Sequence, residues 1–162
     1  MILNPLINNP RITQICTFLP NGEENPAETK ANRDWAKNFY KKWGLKGHTG
    51  LDFGVRIGTT VYAPFDCKIR VREASGLGLY IECYSMLREE TNNRLRIRLA
   101  HLSQVKVKDG EYEKLGNAIA FSGNSWWVAP HLHLDMALAD KDYKRIGKCI
   151  YIDPNWLLNW NN

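Results

Sequence analysis

The sequence predicts a mainly β fold, in which a small antiparallel β-sheet domain follows one short N-terminal helix. From residue 48 to residue 138, apolar and polar residues alternate with a period of two in several short runs, as in Arg94–Leu99. Turn-forming pairs such as Ser75-Gly76, Asn92-Asn93 and Asp109-Gly110 separate these runs. Period-two alternation is typical of strands with one buried face, and short connections favour antiparallel pairing.

Residues 1–43 form the predicted N-terminal extension of a single domain 1–162, since a chain of this length suits one domain. A short strand is predicted within Ile12–Phe18, and a helix near residues 34–43. The helix prediction rests on an aromatic face at i, i+4 and i+8 (Trp35, Phe39, Trp43), on Asp34 as the N-cap and on Gly44 as the stop.

Residues 44–138 form the predicted β-rich core. The predicted strands are Val61–Phe65, Lys68–Arg72, Leu79–Tyr84, Arg94–Leu99, Ala118–Phe121 and His131–Leu138. The tail 139–162 is expected to pack back on this core, because Trp156, Leu157 and Trp160 are costly to leave in water.

The formal net charge of +5 favours an anionic neighbour, and wall polymer, nucleic acid and acidic membrane all qualify. The apolar runs are far shorter than the ~20 residues that a membrane-spanning helix needs. The first residues have no basic segment followed by an apolar one. If the protein acts outside a membrane, we therefore expect phage-type release, virion association, or a chain that lacks its native signal.

Four cysteines, Cys16, Cys67, Cys83 and Cys149, contain no C-x-x-C pair, so a cysteine-ligated zinc site has little support. We interpret them as small buried hydrophobic residues. The alternative is that Cys67 and Cys83 lie on neighbouring strands and form a disulfide.

Three of the four histidines lie in two motifs with the character of a metal site. The segment Gly47–Gly54 supplies His48 and Asp52, which carry ordinary zinc donors, although a surface loop would also explain them. The second motif is His131-Leu132-His133. On a strand, residues i and i+2 project from one face, so these two imidazoles would be neighbours. Two exposed strand histidines are the alternative.

His101 ends an alternating run and shares its parity with Leu95, Ile97 and Leu99, so it reads first as a core residue. A bulge or the strand end would re-aim it toward the other histidines. Taken together, His48, Asp52 and His133 make a three-ligand set. Catalytic zinc sites typically have three protein ligands and one open position, so this set favours catalysis over a structural role.

The order of these motifs resembles the lysostaphin/LytM-type zinc endopeptidases of the M23 family. The resemblance covers about residues 44–138. It is carried by Gly47–Gly54, Val61-Tyr62-Ala63-Pro64, Ala100-His101-Leu102-Ser103, Phe121-Ser122-Gly123-Asn124 and Pro130–His133. It implies a small, largely antiparallel β fold of the duplicated hybrid motif type, with an open groove and one Zn²⁺.

The resemblance further implies that His48, Asp52 and His133 bind the zinc ion, while His131 and His101 are the catalytic histidines. The reaction would be hydrolysis of amide bonds in the stem peptides or cross-bridges of peptidoglycan, by a monomer at the bacterial cell wall. His131 is the preferred general base. His101 would hydrogen-bond to the oxyanion or position the water.

Several positions depart from the common pattern of the family, and these are Leu99, Cys67, Asp135 (where glutamate is frequent) and Trp126-Trp127. The two tryptophans would either wall the groove or pack on the sheet. The arginine row Arg94, Arg96, Arg98, with Lys68, Arg70 and Arg72, would hold anionic polymer or form a solvated face.

The most favoured interpretation is thus a zinc endopeptidase of peptidoglycan, either a phage or prophage lysin or a bacterial wall hydrolase. One alternative is a non-catalytic relative that binds peptidoglycan or activates another hydrolase. Another is a nucleic-acid-binding β domain, but we expect no specific nucleic acid, because that function leaves the histidine motifs unexplained.

Overall fold

The structure, a computed structural model, describes residues 11–19, 21–86, 91–126 and 128–150. These residues form one α-helix and eleven strands, which confirms the mainly β prediction. The helix is α1 (Lys30–Tyr40). The strands are β1 (Ile12–Gln14), β2 (Leu51–Phe53), β3 (Thr60–Tyr62), β4 (Cys67–Ala74), β5 (Gly78–Ser85), β6 (Arg94–Ala100), β7 (Leu102–Val105), β8 (Tyr112–Glu113), β9 (Ala118–Ser122), β10 (Leu132–Ala139) and β11 (Arg145–Ile150).

Two antiparallel sheets make up the fold. The larger has eight strands, with the path β1-β2-β10-β6-β5-β4-β8 and with β11 paired to β10. The smaller has the order β3-β9-β7. Strand β10 is central, because it pairs with β2 through Leu132–Leu134 and with β6 along most of its length. This double pairing places His133 inside the larger sheet, with His131 just before the start of β10.

The hydrophobic core lies between the two sheets. One face of the larger sheet contributes Leu99, Leu132 and Leu134, and the smaller sheet contributes Val61 and Ile119, all of them almost completely buried. Their parity agrees with the period-two alternation in the sequence. The opposite face of β6 and β10 therefore carries the polar residues, and the candidate site forms there.

The helix begins earlier than predicted. The Thr29 side chain accepts a hydrogen bond from the Asn32 amide at 3.2 Å, so Thr29 is the N-cap and the prediction of Asp34 is wrong. Asp34 instead forms an ion pair with Lys30 one turn away. The last predicted turn is a 3-10 turn, and it ends at Gly44 with φ 69°, which confirms the predicted stop.

The strands agree with the prediction except at a few positions. The expected strand within Ile12–Phe18 is limited to β1, while β3 begins and ends earlier than Val61–Phe65. Strands β2, β7, β8 and β11 were not predicted, because each is short or has little alternation. Strand β11 does pack on the core region through β10. The expectation for the tail at Asp153–Trp160 lies outside the described residues.

Cys16, Cys67 and Cys83 are buried and form no disulfide, which confirms their interpretation as small buried residues and not the disulfide alternative. The side chain of Cys149 lies outside the described part. Within the described residues, no helix combines the length and the apolar character that crossing a bilayer requires.

Candidate metal centre

Three acceptor atoms converge on the polar side of strands β2 and β10. His48 Nε2 lies 3.1 Å from Asp52 Oδ1 and 3.0 Å from His133 Nδ1, and the latter is 2.9 Å from the same carboxylate oxygen. All three side chains are buried. These residues form a group that can hold a metal ion.

Strand register explains why residues so distant in sequence meet. Asp52 in β2 is the cross-strand partner of His133 in β10, so the two side chains leave the sheet on the same face. Gly50 lets the preceding chain approach β10, since a Cβ at this position would lie 2.1 Å from the Leu134 carbonyl oxygen. His48 lies two residues before Gly50, and its Nε2 reaches Asp52 and His133 to complete the three-residue group.

The second nitrogen of each proposed ligand ring fixes its tautomer. His48 Nδ1 lies 3.0 Å from the Ile15 carbonyl oxygen, so this nitrogen carries the hydrogen and donates it. His133 Nε2 faces the Asp135 carboxylate at 3.6 Å. His48 Nε2 therefore presents a lone pair to the site, and His133 Nδ1 does so when the His133 ring is neutral, as in a metal complex. Outer partners of this kind orient metal-binding histidines.

The donor set fits zinc in both chemistry and spacing. Two imidazole nitrogens and one carboxylate oxygen are ordinary zinc donors, and donors around one tetrahedral zinc ion lie about 3.3 Å apart. Lone pairs of three acceptors, at the separations given above, are mutually unfavourable without a cation between them. The trio predicted from the sequence is therefore brought together in an arrangement that suits a zinc ion.

The electrostatic environment also favours a positive charge. Burial alone would raise the pKa of Asp52, but the charges and hydrogen bonds of His48 and His133 outweigh it and hold the pKa well below its usual range. Burial alone would lower the pKa of His133, but Asp135 and Asp52 raise it to about 9. The carboxylates thus stabilise a cation at this ring, whether a proton or a metal ion.

The other two histidines lie beside the trio. His101 follows the end of β6 with φ 63°, which turns its ring out of the core and onto the polar face. The strand-end alternative is therefore correct, and the core assignment by parity is wrong. The His101 ring lies 4.5 Å from that of His131 and 6.1 Å from that of His133, between centroids.

Backbone carbonyls hold these two rings. His101 Nδ1 lies 3.0 Å from the Ser125 oxygen and His131 Nδ1 lies 2.7 Å from the Ala129 oxygen, so both nitrogens donate. In the neutral rings, Nε2 is then an acceptor, and that of His131 lies 3.7 Å from Asp52 Oδ1. Burial, with the neighbouring His131 and His133, lowers the pKa of His101 to about 4, so His101 is neutral at pH 7.

Asp135 is a residue whose role the sequence reasoning missed. It is completely buried, faces His133, and accepts hydrogen bonds from Arg96 Nη2 at 2.6 Å and from Arg98 Nε at 2.7 Å. Arg96 also donates to Glu82 at 2.9 Å. The available signal was its position two residues after His133, which places both side chains on one face of β10.

The arginine row is thereby corrected. Arg96 and Arg98 belong to neither a polymer-binding nor a solvated face. The side chain of Arg96 is only 4% exposed, and that of Arg98 bonds to Asp135. The neighbouring Arg70 and Arg72 do lie at the surface, where both pair with Asp109. Two arginines of the row therefore support the carboxylate behind the candidate metal centre.

A groove of about 550 Å³ opens over the centre. Asp52, His101 and His131 line it. Trp126 lines it and is 46% exposed, so this residue walls the groove and does not pack on the sheet. The prediction for Trp127 concerns a residue outside the described ones. The groove agrees with the open site that the resemblance implied.

Sequence comparisons with curated proteins found several peptidases that are similar to this chain. Lysostaphin of Staphylococcus simulans is 34% identical over 109 residues, 61% of this chain and 22% of lysostaphin. Peptidoglycan DD-endopeptidase ShyB of Vibrio cholerae is 33% identical over 96 residues, 58% of this chain and 21% of ShyB. The chain thus spans about a fifth of the length of these relatives.

Solved structures have the same fold. The catalytic domain of lysostaphin from Staphylococcus simulans is 25% identical, with a TM-score of 0.59, and the match covers 94% of this chain and 95% of that domain. A zinc-containing peptidase from Vibrio cholerae has a TM-score of 0.61 at 24% identity, over 90% of this chain and 39% of that one.

The family assignment rests on the region that contains all four histidines. Residues 46–146, more than half of the chain, match peptidase family M23. This region includes the proposed ligands and the strands that position them, but not β1 or α1. The chain therefore belongs to peptidase family M23.

Proposed function

We propose that the protein is a zinc-dependent endopeptidase that hydrolyses amide bonds in the peptide part of peptidoglycan. The observation that carries this proposal is the convergence of three acceptor atoms, on His48, Asp52 and His133, beside two further histidine rings that line a groove. Three protein donors with an open side are typical of catalytic zinc rather than structural zinc.

His48, Asp52 and His133 would hold the ion. A bound zinc ion supplies a Lewis acid that acidifies a water molecule and polarises a carbonyl group. The protein contributes the rest through its own side chains. The Ile15 carbonyl and the Asp135 carboxylate keep the two ligand rings in the required tautomer, and the groove admits the substrate on the remaining side.

His131 is the proposed general base. Its Nδ1 donates to the Ala129 carbonyl, so Nε2 has a lone pair that can accept a proton from the attacking water. That nitrogen lies 3.7 Å from Asp52 Oδ1, close to the proposed ligands. After protonation, the same nitrogen can pass its proton to the leaving amine.

His101 receives a narrower role than the family resemblance left open. Its Nδ1 also donates to a carbonyl, and its lowered pKa keeps the ring neutral, so Nε2 is an acceptor at pH 7. An acceptor cannot donate a hydrogen bond to an oxyanion. We therefore assign His101 to orienting the attacking water, in preference to stabilising the oxyanion.

The substrate class follows from the relatives. Their names include peptidoglycan DD-endopeptidase and glycyl-glycine endopeptidase, which denote different bonds. A wall peptide is the class that they share, and the site of action would be the bacterial cell wall. A phage or prophage lysin and a bacterial wall hydrolase are both compatible with this proposal.

Digestion of purified peptidoglycan tests the function. The zinc-loaded protein should release soluble fragments, and mass spectrometry should find new amino and carboxyl ends within the peptides and no cleavage of the glycan. The His131→Ala variant is the matched control, because it should keep its zinc and release little. Zinc binding without product from the wild-type protein would contradict catalysis and favour a non-catalytic binding or activating domain.

A further inference from the structure

One wall of the groove comes from outside the family-matched region. The family match begins at residue 46, whereas α1 and β1 precede it. Trp35, Phe39 and Tyr40 of α1 and Gln14 of β1 nevertheless line the groove, together with Asp52, His101 and His131. The N-terminal segment therefore contributes directly to the surface that meets the substrate.

The aromatic face of α1 is a pre-formed platform. The Trp35 ring stacks on that of Phe39, with centroids 4.7 Å apart and planes 14° apart. Tyr40 meets the edge of Trp35 at 6.4 Å. Despite these contacts, Trp35 is 52% exposed, which is unusual for so large an apolar residue. A rigid, half-exposed ring beside a catalytic groove favours contact with a ligand.

The residues that line the α1 side of the groove are uncharged, and the Lys42 ammonium lies 4.1 Å from the centroid of the Phe39 ring. The charged residues of α1 form ion pairs elsewhere, Lys30 with Asp34, and Arg33 and Lys37 with Glu24, and they do not line the groove. The polar residues that do line this side are Thr13, Gln14 and Asn32. Gln14 is the cross-strand partner of Asp52, which places its neutral amide beside the proposed metal centre.

A second tryptophan faces the groove from the segment before β10. Trp126 is 46% exposed and has φ 72°, a conformation that is uncommon for a bulky residue. The preceding Ser125 is fixed, because its Oγ accepts from the Leu79 amide at 3.0 Å and its carbonyl oxygen accepts from His101. Strained residues that are held in this way cluster at ligand sites.

We infer that the α1 wall binds a sugar ring, so that the protein selects peptides still attached to the glycan of peptidoglycan. This inference rests on the proposed function and names the part of the substrate that is recognised beside the scissile peptide. The C–H face of an N-acetylated aminosugar matches an exposed indole ring. Its hydroxyl and acetamido groups match the amide of Gln14 and the side-chain oxygen of Asn32, whose amide nitrogen donates to Glu28.

The lack of charged lining residues on this side argues for a sugar over a second stretch of peptide. Stem peptides carry free carboxylates and amines, and recognition of such groups calls for charged partners. The residues that line the α1 side are aromatic, amide or hydroxyl. A neutral ring with one apolar face and several hydroxyl groups fits this composition better than a charged peptide does.

Calorimetric binding to the zinc-loaded His131→Ala protein tests the inference without turnover. The two probes are a disaccharide-tetrapeptide and the same tetrapeptide without sugar. We expect the sugar-bearing probe to bind about tenfold more tightly. Trp35→Ala should remove most of this preference, with little change for the free peptide, and Trp35→Phe should restore part of it.

The matched control is Ile57→Ala, because Ile57 is 51% exposed and does not line the groove. This variant should keep the preference. Equal affinity for the two probes, or an equal loss for both in Trp35→Ala, would overturn the inference. Failure of the wild-type protein to cleave peptidoglycan would instead contradict the proposed function, and it would leave the sugar preference as a separate result.

Discussion

The four histidines form two pairs that differ in how the fold supports them. His48 Nε2 and His133 Nδ1, on the proposed ligands, both lie within 3.1 Å of Asp52 Oδ1 on the polar side of the larger sheet. His101 and His131 are the proposed assisting pair. His101 lies just after the end of β6, and His131 lies just before the start of β10. Their outer nitrogens bond to carbonyls of the segment 125–129 that precedes β10.

The groups that hydrogen-bond to the outer ring nitrogens differ between the two pairs, and this implies different roles for the pairs. The carboxylate of Asp135 makes His133 more basic, as a ligand of a cation requires. The neutral carbonyls behind His101 and His131 fix orientation without adding charge, which suits a base that accepts and returns a proton (His131) and a neutral ring that orients water (His101). Metal retention and turnover should therefore respond separately to changes in the two pairs.

The largest effect is expected for His133→Ala. This change removes one of the three donors and leaves Asp52 and Asp135 facing a cavity without the ring between them. We expect bound zinc, measured by atomic absorption, to fall from about one ion per chain to near zero, and hydrolysis to be lost. A variant that keeps stoichiometric zinc and cleaves peptidoglycan would remove His133 from the ligand set.

His131→Ala should affect only turnover. The ring supplies the proposed base, and general-base catalysis contributes about 10²–10⁴-fold, so kcat should fall by this factor while zinc content stays unchanged. Product release from a defined muropeptide measures the rate. If this variant kept wild-type turnover, a group other than His131 would be the general base. Loss of zinc would instead make His131 a ligand and remove the distinction between the pairs.

Short-range patterns predicted much of the site. The i, i+2 spacing of His131 and His133 predicted two rings on one face, and both rings do face Asp52 Oδ1, although His131 lies just before β10. The sequence did not determine the orientation of His101, because a positive φ at a strand end reverses the parity of a run. Single-residue backbone conformations of this kind depend on tertiary contacts, here the bond to Ser125.

Long-range pairing explains what the sequence could not predict. Alternation identified the faces of β6 correctly, yet it assigned Arg96 to solvent, because its partner Asp135 lies 39 residues away. The position of α1 over the groove was equally hidden, since an aromatic stripe shows that a helix packs but not where. The burial of Arg96 and the position of α1 depend on packing partners that are distant in sequence, and local sequence patterns do not identify those partners.

A smaller effect is expected when the support of the ligand pair is weakened. Asp135→Asn keeps the shape of the residue but removes the negative charge behind His133. Changes in such outer partners typically cost about 10–100-fold in metal affinity, and we expect that loss in a zinc competition titration. The fold should also lose stability, because Arg96 and Arg98 lose a charged partner.

Glu82→Gln separates the two consequences. Glu82 accepts from Arg96 in the same network, and its other side-chain partner among the described residues is Tyr84. The substitution therefore breaks a comparable ion pair away from His133. This variant should be destabilised with unchanged zinc affinity. If both variants weaken zinc binding equally, Asp135 acts through the stability of the fold. The Asp135 carboxylate would then have no special effect on His133 as a ligand, in contrast to the proposed difference between the two histidine pairs.

The smallest effect is expected from the support of the assisting pair. Ser125→Ala removes the hydroxyl that accepts from the Leu79 amide, but it keeps the carbonyl that holds His101. Loss of this partner should lower the free energy of unfolding by about 1–3 kcal/mol, as measured by urea denaturation. Turnover should fall by less than about tenfold, because the acceptor on the His101 ring is unchanged. Thr59→Ala, which removes a surface hydrogen bond to the Arg56 carbonyl, is the control and should leave turnover unaltered. A loss of turnover as large as that of His131→Ala would show that the hydroxyl of Ser125, and not only its carbonyl, determines where the assisting pair stands.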